Sequence, residues 1–169
     1  MELLEAIYKR RTIKDFKSGP VTPEILELAL TAGIWAQNHR LTQPWRFIIL
    51  GPETHNALAE LFGDGRKKIL SKPLIVAVTS QLNSDPQQQR EDYAATCCAI
   101  QNIQLAAWGE GLGMQWSTSK VIRNSSVYEL LKVNAAREEI VGLLFFGYPA
   151  NIPTPAPRKP LTELTRHLP

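Results

Sequence analysis

Pro86-Gln87-Gln88-Gln89-Arg90-Glu91-Asp92-Tyr93-Ala94-Ala95-Thr96-Cys97-Cys98-Ala99-Ile100-Gln101-Asn102-Ile103-Gln104-Leu105-Ala106-Ala107-Trp108 is the stretch on which the fold turns. Past Pro86 it holds no glycine and no further proline, and its apolar residues keep helical spacing. It therefore predicts a single helix of roughly 34 Å at about 1.5 Å per residue. Its centre, Ala94 to Ile100, is almost uniformly small and apolar, the pattern of a helix buried all round. In a chain of 169 residues such a helix is expected at the centre of the molecule, covered in part by a second subunit.

Toward the C-terminus, Gly109 to Gly113 ends this helix, and Met114-Gln115-Trp116-Ser117 predicts a short strand. A helix is expected from Ser125 or Ser126 through Leu131, and a fully buried strand from Glu139 to Tyr148 around Ile140-Val141-Gly142-Leu143-Leu144-Phe145-Phe146. Beyond it, Pro149, Pro153, Pro155, Pro157 and Pro160 dictate an extended arm over 149–169 that can form neither helix nor inner strand. Ile152, Leu161 and Leu164 on this arm have nothing local to cover them, so it is expected to cross to a second copy, with 161–165 as an edge strand. Toward the N-terminus, strands are expected over Pro73 to Ser80 and Arg46 to Leu50, with a helix over 53–62 capped at Gly63. Gln37 to Pro44 is a polar loop. Thr22 as N-cap and Pro23 at the first helical position start a helix to about Ala36, with Ile25, Leu26, Ala29 and Leu30 as its buried stripe. Residues 2–11 read as an amphipathic helix with Leu3, Leu4, Ile7 and Tyr8 on one face. Helices interleaved with short buried strands mean α+β or α/β, a small sheet flanked by helices.

Length and composition narrow the class. One domain over 1–169 is expected, large enough for a core without disulfides. An apolar share of 44% and a charged share of 21% are those of an ordinary globular protein. No apolar run approaches the ~18 residues of a membrane span, and Met1-Glu2-Leu3-Leu4-Glu5 does not read as a secretory signal. A net charge of +3 is too mild for a nucleic-acid partner. Cys97 and Cys98 are adjacent, which argues against a disulfide framework and for a reducing cytoplasm. Inside the long helix they read as small core residues rather than reactive thiols. His39, His55 and His167 have no metal-ligand spacing, so no metal is expected.

Serine-hydrolase elbows, nucleotide-binding glycine loops and zinc patterns are missing. Three polar segments next to apolar elements remain. Arg10-Arg11-Thr12-Ile13-Lys14 puts three cations and a hydroxyl into five residues, enough to hold a phosphate and an electron-rich ring edge, or simply a helix C-terminus favoured by the macrodipole. Asn38-His39-Arg40-Leu41-Thr42-Gln43-Pro44-Trp45 is a polar loop closed by proline and tryptophan before a strand. Gly111-Leu112-Gly113-Met114-Gln115-Trp116-Ser117-Thr118 reads either as a ligand-facing turn with stacking and hydroxyl groups or as a tight helix-to-strand turn.

In this order the segments resemble the FMN-dependent nitroreductase family. Arg10-Arg11-Thr12-Ile13-Lys14-Asp15-Phe16 resembles the family's R-R-S-x-x-x-F signature, and Ala36-Gln37-Asn38-His39-Arg40-Leu41-Thr42-Gln43-Pro44-Trp45 its A-P-S-x-x-N-x-Q-P-W loop. Gly111-Leu112-Gly113 with Trp116, then Gly147-Tyr148-Pro149 and Arg158-Lys159-Pro160-Leu161, complete the set, and the chain is similar in length to the family's short members. The resemblance implies an α+β, three-layer fold with a small, mostly antiparallel sheet, in a homodimer that exchanges its C-terminal arms. It implies FMN at the subunit interface, reduced by NADH or NADPH and reoxidised by a nitroaromatic, a quinone or a similar acceptor. By the same resemblance Arg10, Arg11 and Thr12 would hold the phosphate, ribityl chain and pyrimidine edge, and Lys14 the flavin N1/O2 edge. Trp35, Asn38, His39 and Gln43 would come from the partner subunit. Trp116, Ser117 and Thr118 would line the other side of the flavin, and Arg158 with Lys159 would reach the phosphate. No general acid or base is implied.

The chain departs from the pattern at Gln37, where the family usually has proline, at Asn38 for serine, at Leu41 for asparagine, and mildly at Thr12 for serine. These changes bear on the substrate pocket more than on FMN. Two other readings fit the same residues: a flavin-binding protein with a storage role, and another flavin reaction such as reductive dehalogenation or flavin breakdown.

Overall fold

β2 (Leu74–Gln81) and β4 (Glu138–Gly147) form the middle of an antiparallel sheet, with β1 (Trp45–Ile49) on the free side of β2 and β3 (Gly113–Ser117) on the free side of β4. Residues 1–169 are described by a computed structural model. Side chains of a strand alternate between its two faces, and here both faces are covered. Ile75, Ala77, Leu143 and Phe145 pack against Leu58 of α3 (Pro52–Leu61), Ile69 of α4 (Arg66–Leu70) and Val127 of α6 (Ser125–Leu130). Val76, Val78, Leu144 and Phe146 pack on the other side, against Leu26 and Ala29 of α2 (Pro23–Ile34) and Ile100, Ile103 and Ala107 of α5 (Pro86–Gly109). Double coverage is why β2 and β4 read as continuous apolar runs. The fold is α+β in three layers, as the resemblance implies.

Several expectations need correction. α1 (Leu3–Lys9) forms, but only Ala6 is buried in it, while Leu3, Leu4, Ile7 and Tyr8 all face outward. Most of the surface of Leu3, Leu4 and Tyr8 is left uncovered by its own chain. Within its own chain α5 is covered on one side only: Ala95, Ala99, Ile103 and Ala107 are buried, whereas Tyr93, Ala94 and Gln101 are exposed on the side expected to face a second subunit. Thr22 precedes α2 but makes no capping bond, because its hydroxyl is hydrogen-bonded to the Tyr148 hydroxyl at 2.8 Å. The cap of α6 is Asn124, whose side chain accepts from the Ser126 amide at 3.0 Å. α4 lies where the sequence shows only a basic run, since five residues are too few to display a period. On the arm, Leu161–Glu163 forms a 3-10 turn, not a strand, and every residue over 150–169 is exposed.

Candidate active site

The cationic segment follows directly on α1. Arg10 ends the helix, its amide donating to the Ala6 carbonyl at 2.9 Å. Arg11 turns Nη1 back onto the carbonyls of Tyr8 (2.8 Å) and Arg10 (2.6 Å), so one arm of its fork serves the helix end, while its Nε is buried without a partner. Thr12 and Lys14 are exposed on either side of the fully buried Ile13. That alternation is extended backbone, and it is laid on β3: the Ile13 amide donates to the Met114 carbonyl at 3.1 Å, and Thr12 makes a single parallel bridge to Met114. Farther on, the Lys17 amide donates to the Tyr148 carbonyl (2.8 Å) and the Ala150 amide to the Asp15 carbonyl (3.0 Å). The base of the arm is thus tied to the cationic segment. Arg158 comes close enough to act on Arg10: burial, then the charges of Arg11 and Arg158, hold the Arg10 guanidinium below its ordinary value. The ion pairs of the structure join Lys9 to Glu5, His39 to Glu91 and Arg66 to Glu60, so no carboxylate neutralises these three arginines. Grouped guanidinium forks with free donors and no counter-ion match an anion of phosphate geometry.

Trp116 owes its place to an irregularity of the sheet. Val78 pairs with Gly142 and Thr79 with Ile140, so Val141 is an extra residue, a β-bulge. The carbonyl of Val141 accepts from the Trp116 indole at 3.3 Å. The ring lies where a side chain at residue 142 would stand, since a Cβ there would be 2.2 Å from Trp116 Nε1. Gly142 is therefore required by Trp116. Ser117 follows half-buried and Thr118 exposed. The glycines of Gly111-Leu112-Gly113 have backbone and packing reasons of their own. Gly111 takes φ 75° in the turn out of α5, and a Cβ on Gly113 would meet Ile13 at 2.7 Å. The tight-turn reading holds for them.

The loop before β1 is strained and braced. Arg40, Leu41 and Gln43 all have left-handed φ, 55°, 54° and 46°, without being glycine. Such backbone costs on the order of 1–3 kcal/mol per residue and concentrates at functional sites. What holds it is α5: the Thr42 hydroxyl donates to Asp92 at 2.7 Å, and His39 Nδ1 lies 2.5 Å from Glu91. Asn38 closes the loop, donating to the Ala36 carbonyl (3.1 Å) and accepting from the Gln43 amide (3.0 Å). The His39 contact, then the bond from Gln87, hold the Glu91 carboxyl below its ordinary value. A cleft of about 390 Å³ opens here between Gln37, Asn38, His39, Glu91 and Cys98. Trp35 caps the end of α2 with 83% of its surface exposed.

The predicted residues thus fall into two groups within one chain. Arg10, Arg11, Thr12 and Lys14 gather with Trp116 and Ser117 along the β3 edge, joined by Arg158, while Lys159 is exposed on the arm beyond it. Trp35, Asn38, His39 and Gln43 form the second group, braced on the N-terminal half of α5. Two supporting residues escape sequence reading. Asp92 is buried and accepts from both Thr42 and Gln88. Lys72 is buried and donates to the Lys14 carbonyl at 2.7 Å. Neither lies in a motif, and only the fold brings them to the segments they hold. Cys97 and Cys98 are free thiols; burial, then Cys98 and Glu139, push the Cys97 thiol up, away from reactivity. No three His, Cys, Asp or Glu side chains group as a metal site, and no helix is long and apolar enough to cross a membrane.

Comparison with known proteins places this geometry. The sequence profile of the nitroreductase family matches residues 7–85 and, overlapping, 66–148. The Bacillus subtilis (strain 168) protein named "Putative NAD(P)H nitroreductase YfhC" is 31% identical, covering 95% of this chain and 91% of its own. The crystal structure of a nitroreductase-like family protein from Bacillus cereus superposes with a TM-score of 0.90 at 28% identity, over 99% of this chain and 96% of that one. A Desulfovibrio desulfuricans protein, described as a "putative nitroreductase in complex with fmn", superposes with a TM-score of 0.83 at 26% identity, over 100% of this chain and 98% of that one. With a profile along most of its length and a relative of such similarity covering nearly all of it, the chain belongs to the nitroreductase family.

Proposed function

We propose that the chain is an NAD(P)H-dependent FMN oxidoreductase that reduces nitroaromatic, quinone or similar acceptors, working as a homodimer with all of 1–169 as one unit. The observation that carries this is the uncompensated cluster of Arg10, Arg11 and Arg158 beside the exposed Thr12 and Lys14. Its donor set fits a flavin mononucleotide: guanidinium forks for the phosphate, a hydroxyl for the ribityl chain, a lysine for the pyrimidine edge. The buried, partnerless Arg11 Nε is a donor still to be used. FMN, when bound, supplies the hydride chemistry. This chain's residues bind and orient it: Arg10, Arg11, Arg158 and Lys159 at the phosphate, Thr12 at the ribityl chain, Lys14 at the electron-rich edge where a cation favours the reduced form. Trp116, Ser117 and Thr118 wall one side, with the tryptophan fixed by the bulge at Val141. Trp35, Asn38, His39 and Gln43 complete the site from the second copy; their loop is strained and braced as a functional loop is.

The second copy has a place to sit. Leu3, Leu4, Ile7 and Tyr8 of α1 and Leu28, Ile34 and Trp35 in and just after α2 are exposed, and Leu3, Leu28 and Trp35 line one groove, apolar surface of the kind that marks an interface. Ile152, Leu161, Leu164 and Leu168 of the arm are equally uncovered, which supports the exchanged arm. Two free cysteines suit a reducing cytoplasm.

The test is the purified protein. It should be yellow, with about one FMN per chain, and should oxidise NADH or NADPH with a nitroaromatic along parallel double-reciprocal lines. Intersecting lines would mean a separate nicotinamide pocket. Arg10→Ala should weaken FMN by roughly 1.5–3 kcal/mol, the scale of a lost charge-assisted hydrogen bond. Unchanged FMN affinity in that variant rejects the phosphate assignment.

A further inference from the structure

Lys72 stands out because it is buried and has no anionic partner. Only 4% of its surface is exposed, at the turn between α4 and β2, and none of the ion pairs includes it. A buried ammonium without a carboxylate is costly. Its partners are weaker ones: the Lys14 carbonyl at 2.7 Å, and the faces of Phe16 and Phe145, whose centroids lie 5.2 Å and 5.7 Å away. Burial, then the charge of Lys68, lower its affinity for the proton, with Asp15 opposing. Hydrophobic packing alone would be better served by an apolar side chain of the same length.

What Lys72 holds is the far end of the cationic segment. Between Arg10 and Phe16 the backbone is fixed to β3 at Ile13, and the next carbonyl along, that of Lys14, is fixed only by Lys72 among the hydrogen bonds of the structure. The Lys14 side chain itself is exposed. Anchoring its carbonyl inward sets the plane of the peptide and so the direction in which the side chain leaves the surface.

We propose that Lys72 is a positioning residue: by clamping the Lys14 carbonyl it orients the anion-binding segment, so that Lys14 and Arg10 present their charges together to the phosphate-bearing flavin. This rests on the FMN reading above. The group acts through the backbone of Lys14 and does not itself touch the flavin.

Lys72→Met keeps length and apolar packing and removes the donor; Lys72→Arg restores a charged donor. Apoprotein of each is titrated with FMN by fluorescence quenching, and the midpoint potential of the bound flavin is measured by equilibration with reference dyes. Lys72→Met is expected to melt close to the parent, bind FMN at least about ten-fold more weakly, and hold it at a more negative potential, with Lys72→Arg recovering most of both. A merely structural lysine would lower melting temperature and leave the potential alone. Lys72→Met with parental FMN affinity and potential overturns the proposal while the FMN reading stands; a parent that binds no FMN overturns both. Should Lys72→Met not fold, Lys72→Gln repeats the measurement, and failure of both to fold assigns Lys72 a structural role instead.

Discussion

The two helical layers on the sheet differ in what lies outside them. α3, α4 and α6 are sealed: none of the large exposed hydrophobic residues belongs to them. α2 and α5, with α1 beside them, bury the opposite sheet face equally well on their inner side, yet present Leu3, Leu4, Ile7, Tyr8, Leu28, Ile34 and Tyr93 to solvent. A groove of about 460 Å³ between Leu3, Leu28, Trp35 and Leu105 runs across that outer side. One layer is finished by its own chain and the other is not. Core burial and surface composition are thus separate properties, and a helix can be amphipathic toward two partners at once.

The widest gap between the layers should appear on substituting one side chain in each. Leu143 is fully buried against the sealed layer, and Leu143→Ala should lower unfolding free energy by about 2–5 kcal/mol at any protein concentration. Leu28→Glu on the open layer should change it by no more than about 0.5 kcal/mol in dilute solution while abolishing self-association. Equal losses measured by chemical denaturation would erase the distinction.

Gly142→Ala should come next, at about 1–3 kcal/mol, because the indole of Trp116 occupies the space and cannot bend away. Trp116 fluorescence would report the displaced ring, and an unchanged spectrum with unchanged stability would mean the bulge is not what seats it.

Removing the arm after Ala150 should hardly change the melting of the single chain, since its residues are exposed and its internal hydrogen bonds are local. It should shift sedimentation toward the monomer and strip flavin together, because Arg158 and Lys159 go with it. A truncated chain that stays dimeric and fully flavinated would make the arm a passive tail.

The smallest effect concerns the braced loop. Contact with His39 and then Gln87 keeps the Glu91 carboxyl below its ordinary value of 4.5 in the folded state. That stabilisation is present above the unfolded value and is lost as pH falls through the folded one. Parent protein should therefore lose slightly more melting temperature between about pH 6 and about pH 3 than Glu91→Gln does. Identical losses would show that the His39 contact does not hold the loop in solution.

Legibility followed from how local each signal is. The strands, the long helix and its ends could be read because a period of two or a run of apolar residues is written along the chain, and the cations of 10–14 could be read because they are consecutive. Lys72 could not, since its partner is a backbone carbonyl 58 residues away. Nor could the bracing of His39 and Thr42, which depends on Glu91 and Asp92 some 50 residues on.

By itself the sequence determined the elements, the doubly covered strands and the cationic segment, because hydrophobic period, proline, glycine and charge act over a few residues. The tertiary structure alone decided which faces stay open, why Trp116 lies on Gly142, and what holds the strained loop and the Lys14 carbonyl. Those depend on distances between segments far apart in the chain, which no local pattern encodes.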